Sequence, residues 1–108
     1  MYGLDDITIN KINEVFEAFP DVDNVILYGS RAKGNYKPGS DIDLTLKGEK
    51  INLGTINQIS LMLDDLLLPY TFDISVFSHI KNEELLNHID RVGLVFFNRK
   101  GFSEISKH

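Results

Sequence analysis

Two aspartates two positions apart, Asp41 and Asp43, are the residues of this chain best suited to chemistry. They open a stretch, Asp41 to Lys47, in which Asp41, Asp43 and Thr45 alternate with Ile42, Leu44 and Leu46. Alternation of period two predicts a strand. It sets both carboxylates on one face, about 6–7 Å apart at the backbone. Such a pair repels, and without a counter-charge one member is driven to hold a proton. Asp73, in a second alternating stretch from Phe72 to Phe77, brings a third carboxylate if the strands are neighbours. Three hard oxygen donors meeting at one point suit a hard cation, magnesium first, with phosphate oxygens completing its shell. An isolated D-x-D pair is more often a solvated strand face. The choice therefore depends on what lies near it.

Upstream, the apolar run Val25-Ile26-Leu27-Tyr28 ends at Gly29-Ser30, ten residues before Asp41. Glycine lets the chain turn and lets a ligand approach the backbone. If Ser30 begins a short helix, its amide and hydroxyl face a space that suits an anion. Arg31, Lys33 and Lys37 follow, with no acid between Asn24 and Ser40. This loop is locally positive in a chain of net charge −5 (16 acids, 11 bases), which points to a small anion and away from extended nucleic-acid binding. Gly29 and Gly34 share the glycine spacing of a phosphate-binding P-loop, but Asn35 and Tyr36 stand where that motif needs Lys and a hydroxyl.

The elements that must position these residues are legible in outline. Ile12, Val15, Phe16 and Phe19 recur at helical spacing, with Thr8 or Asp6 as the expected cap and Pro20 as the stop. Val25 to Tyr28 is expected as a central strand, covered on both faces. Ile56, Ile59, Leu63, Leu66 and Leu67 mark a second long helix ended by Pro69. Asn82 followed by Glu83 and Glu84 predicts a helix start, running through Leu85, Leu86 and Ile89 to about Arg91, where Gly93 breaks it. Leu94 to Phe97 is a short last strand, and 99–108 is expected to be a loose tail. His88 is expected as a surface or boundary residue, and Phe16, Phe19, Phe72, Phe77, Phe96 and Phe97 as core.

The order is helix, strand, Gly-Ser turn, strand, helix, strand, helix, strand. With 108 residues, 43% apolar and 25% charged, it predicts a single mixed α/β domain over 1–108, a short sheet backed by helices. No run reaches the ~18 apolar residues of a membrane span, and acids stand where a signal peptide carries bases, so a cytoplasmic setting is expected. The absence of cysteine excludes disulfides, thiolate zinc sites and a Cys nucleophile.

Gly29-Ser30, ten residues and Asp41-Ile42-Asp43 together match the G-S-x10-D-x-D signature of the DNA polymerase β-like nucleotidyltransferase superfamily. Within it the chain resembles the minimal nucleotidyltransferase (MNT) domains: Gly29-Ser30-Arg31-Ala32-Lys33-Gly34 and Ser40-Asp41-Ile42-Asp43-Leu44 resemble their two typical motifs. Phe72-Asp73-Ile74 falls where that family keeps its third acid. The resemblance implies the nucleotidyltransferase catalytic core, with Asp41, Asp43 and Asp73 as catalytic residues binding two magnesium ions. It implies Gly29 and Ser30, with Arg31 and Ser40 from the same motifs, as the nucleotide-binding loop. The implied reaction is attack of an acceptor hydroxyl on the α-phosphorus of an NTP, ATP first, with release of pyrophosphate. The implied partner is a small helical HEPN-domain protein, the toxin to which the MNT domain is antitoxin. Two rival readings stay open: a binding module that neutralises its partner by contact, and nucleotidylation of a small molecule or an RNA. The base, the acceptor and self-association are left open as well.

Overall fold

The computed structural model describes residues 1–99. Four strands form one sheet in the order β3-β2-β1-β4, from β1 (Asn24–Tyr28), β2 (Ile42–Lys47), β3 (Phe72–Val76) and β4 (Leu94–Asn98). β1 runs antiparallel to both β2 and β4, while β2 and β3 are parallel. The sheet is therefore mixed, and β1 is central and buried along its whole length, as its unbroken apolar run predicts.

One face of the sheet carries the main core. Helix α1 (Asp6–Glu17) and helix α3 (Leu53–Asp65) pack Ile12, Phe16, Ile59 and Leu63 against Val25, Leu27, Ile42, Leu44 and Leu46. The period-two alternation of β2 supplies three of these side chains, all without solvent exposure. On the opposite face, helix α4 (Glu83–Val92) covers a smaller cluster of Ile26, Tyr28 and Ile89. Phe96 and Phe97 are adjacent yet both join the main core. A bulge allows this: Val25 pairs with Phe97 and Ile26 with Val95, so Phe96 is the extra residue.

Several boundaries differ from the sequence expectation. The cap of α1 is Asp5, whose Oδ1 accepts from the Thr8 amide at 2.7 Å; neither Thr8 nor Asp6 does this. α3 stops at Asp65, short of Leu66 and Leu67, because Leu67 turns into the left-handed region (φ 56°) well before Pro69. β2 begins at Ile42, so Asp41 stands just outside it. Phe77 leaves β3 to open a 3-10 turn, Phe77–His79. The Asn82 cap of α4 is as expected, with Oδ1 accepting from the Leu85 amide at 3.0 Å.

Residues 100–108 of the expected tail lie outside the described residues. Arg99 is tied down. Its guanidinium donates to the carbonyls of Phe16, Phe19 and Val22 at 2.7–3.0 Å, satisfying the backbone at the end of α1.

Candidate active site

Topology explains how residues thirty positions apart meet. β2 and β3 are parallel, so the crossover through α3 returns the chain to the same end of the sheet, and Asp73 lies beside Asp43. β1 is antiparallel to β2, so the end of β1 meets the start of β2 and Tyr28 lies beside Asp43 on the other side. Tyr28, Asp43 and Asp73 thus form one row across three strands. Neighbours in such a row are spaced about 4.8 Å apart by the sheet itself. Asp43 is half-buried, while Asp41 and Asp73 are exposed.

The electrostatics follow from that row. Burial raises the Asp43 carboxyl above its ordinary value of 3.8, and the negative charges of Asp73 and Asp41 raise it further. Burial also raises the Tyr28 phenol, with Asp73 and Asp43 adding to the effect and a hydrogen bond with Ser75 opposing it. In the next row inward the polar side chains satisfy each other, the Ser75 hydroxyl donating to Thr45 Oγ1 at 3.0 Å. Three carboxylates, Asp41, Asp43 and Asp73, lie at the mouth of the sheet, above a polar layer.

β1 ends at this mouth and turns at once into a short helix, α2 (Gly29–Lys33). Gly29 has φ +74°, a conformation that side chains disfavour, and a Cβ there would overlap the Asp43 carboxylate oxygen Oδ2. Glycine is required twice over, for the turn and for the close approach of Asp43. Ser30, partly buried in the first turn of α2, follows directly. The Gly29 amide donates to His88 Nε2 at 3.1 Å. His88 also meets the Tyr28 ring edge-on, with centroids 6.1 Å apart. It is part-buried, the boundary position expected from sequence, and its imidazole reaches the backbone of the Gly29 turn.

Arg31 and Ser40, expected in the nucleotide-binding loop, both make contacts that hold that loop together. Arg31 is 2% exposed. Its guanidinium donates to the carbonyls of Tyr2 (2.9 Å), Pro38 (3.4 Å) and Ser40 (3.0 and 3.2 Å), with Tyr36 and Tyr70 against it at 5.3 and 5.1 Å. With its donors drawn into carbonyls, it clamps α2 to the loop that delivers Asp41. The Ser40 hydroxyl accepts from the Lys37 amide at 2.8 Å and shapes the same loop. Lys33 and Lys37 are exposed.

The donor set fits a hard cation: two exposed carboxylates and a half-buried one held in excess negative charge. As the side chains stand, no three Asp, Glu or His groups among the described residues are close enough together to enclose an ion. Asp43 and Asp73 are brought together by register, and Asp41 flanks them. A cleft of about 410 Å³ lies at the far end of β2, lined by Asp23, Lys47, Glu49 and Phe77. Lys47 lies over the Phe77 ring there at 4.6 Å.

The family described as Polymerase beta, Nucleotidyltransferase matches residues 10–101, a span that takes in every site residue above. The chain belongs to this family. No curated protein matches it. Among solved structures, the nucleotidyltransferase fold is shared with a toxin–antitoxin crystallised with AMP-PNP, at 18% identity over 85% of this chain and 74% of that one, TM-score 0.68. It is shared with a complex of tri-AMPylated Shewanella oneidensis HEPN toxin and MNT antitoxin, at 16% identity over 97% and 79%, TM-score 0.65. A proposed nucleotidyltransferase from Sulfolobus solfataricus is similar at 23% identity over 88% and 80%, TM-score 0.54. No helix among the described residues is long and apolar enough to cross a membrane.

Proposed function

We propose that this nucleotidyltransferase moves AMP from ATP onto a hydroxyl of a HEPN-type toxin protein and acts as the antitoxin of that pair in the cytoplasm. The observation that carries the reading is the row of Tyr28, Asp43 and Asp73 with the Gly29-Ser30 turn packed onto Asp43. It joins a place for phosphate to a place for cations at one end of the sheet. The fold neighbours that include AMP-PNP and an AMPylated HEPN toxin favour ATP and a protein acceptor.

In this reading Asp41, Asp43 and Asp73 hold magnesium. When bound, the metal would supply counter-charge to the three carboxylates and polarise phosphate oxygens. Ser30 would offer its hydroxyl and amide to the outer phosphates. Asp73, exposed at the sheet edge, takes the proton of the acceptor hydroxyl as that oxygen bonds to the α-phosphorus. The bond to the bridging oxygen breaks, and pyrophosphate leaves. The domain has little surface left to orient a free small acceptor, so a docked protein supplies both hydroxyl and proximity.

The test is transfer of label from ATP carrying a radioactive α-phosphate to a co-purifying or adjacently encoded HEPN-type protein. Labelling should require magnesium and vanish in Asp43→Asn, while that variant still binds the partner. Tight binding and neutralisation with no label on the partner would replace this reading with antitoxin action by contact.

A further inference from the structure

The sequence offers no motif around His88, yet the fold carries it across 59 positions to the backbone of the phosphate-facing turn. We propose that His88 is a positioning residue: its Nε2 lone pair holds the Gly29 amide and thereby sets the Gly29-Ser30 turn against Asp43. This rests on the nucleotide-binding reading above.

Three contacts make the case. The Gly29 amide donates to Nε2 at 3.1 Å, which requires the neutral imidazole with its proton on Nδ1, since a nitrogen bearing hydrogen cannot accept. The Tyr28 ring meets the imidazole edge-on, which fixes the plane in which that lone pair points. On its other side Gly29 leaves only the room that the Asp43 carboxylate fills. Gly29 thus sits between an imidazole and a carboxylate. A left-handed turn of one residue has little to hold it in place, and a side-chain acceptor on a neighbouring helix supplies that restraint. It also links α4 to the pole of the sheet where the chemistry is placed. His88 touches no reacting group in this arrangement and acts through Gly29.

Two variants separate the lone pair from the ring. His88→Phe keeps an aromatic ring against Tyr28 and loses the acceptor. His88→Gln loses the ring and restores an acceptor at a reach close to that of Nε2. In the free protein, amide hydrogen exchange at Gly29 should quicken by about fivefold to tenfold in His88→Phe and return to within about twofold of wild type in His88→Gln. Calorimetric affinity for magnesium-ATP should follow the same order, about threefold to tenfold weaker in the Phe variant and restored in the Gln variant. In label transfer the effect should appear in KM and leave kcat within about twofold. Wild-type exchange and affinity in folded His88→Phe would overturn the proposal, as would tighter nucleotide binding, which would mean that His88 competes with phosphate for the amide. Loss of both properties in folded His88→Gln would also overturn it, by assigning the effect to the ring. Should the wild type fail to bind magnesium-ATP, the nucleotide reading falls, and the exchange rates of the free protein still decide whether His88 holds the turn.

Discussion

The two faces of the four-stranded sheet serve opposite ends. On one, Ile42, Leu44, Val25 and Leu27 close against α1 and α3 with no solvent contact. On the other, β1, β2 and β3 present Tyr28, Asp43 and Asp73, and the covering helix α4 stops short of enclosing the carboxylates. Charge on the second face is tolerated because the first supplies the hydrophobic stabilisation. Stability and chemistry should therefore separate under mutation, with only residues that bridge the faces affecting both.

The largest effect should come from the closed face. Phe16 is fully buried and its ring stands 5.8 Å from that of Phe97. Phe16→Ala should cost about 3–5 kcal/mol in urea denaturation, while nucleotide affinity of the remaining folded protein stays near wild type. A large loss of affinity per folded molecule would break the separation.

Arg31 bridges the halves of the site, so its removal should be felt in both properties. Arg31→Lys leaves a cation unable to reach three carbonyls at once, and is expected to destabilise by about 2–3 kcal/mol and weaken nucleotide binding. Denaturation and calorimetry on one preparation check both. A silent Arg31→Lys would show that the guanidinium geometry does not matter.

At the turn itself, Gly29→Val forces a β-branched residue into φ +74° and into the Asp43 carboxylate. About 1–3 kcal/mol of strain is expected, with magnesium-ATP binding abolished. Ser30→Ala leaves the backbone alone and should lower affinity by only about 0.5–1.5 kcal/mol. Equal effects of the two would put the turn away from the nucleotide.

The smallest effect has a distinctive sign. Asp43 has a raised carboxyl in the folded chain, so the folded state takes up its proton before the unfolded state does. Its ionisation costs stability above the raised value, and that cost fades as the pH falls toward 3.8. Asp43→Asn should thus be slightly more stable than wild type at neutral pH, on the order of 1 kcal/mol or less given solvent screening. The advantage should shrink in acid. Melting curves across pH check it, and an advantage that grows in acid would contradict a raised Asp43 carboxyl.

Much of this was legible from residues alone, for reasons of period and spacing. The alternation of β2 gave the faces of Asp43 and Leu44 correctly, because a half-buried strand must alternate. Gly29 was legible because a turn at the end of a buried strand leaves few alternatives. What period cannot supply is register. That Tyr28 and Asp73 flank Asp43 follows from one antiparallel and one parallel pairing, and neither is written locally. The same gap hid His88, whose partner is 59 positions away. The contacts of Arg31 were hidden in the same way: a basic residue beside a Gly-Ser turn suggests phosphate, and the three carbonyls and two tyrosine rings around its guanidinium cannot be read from its neighbours in sequence.

The most direct test of a cation-dependent nucleotide site on the open face is calorimetric titration of magnesium-ATP into wild type and into Asp43→Asn, Asp73→Asn. The wild type should bind, and the double variant should remain folded with binding lost. Unchanged magnesium-dependent binding in the folded double variant would contradict the assignment of these carboxylates.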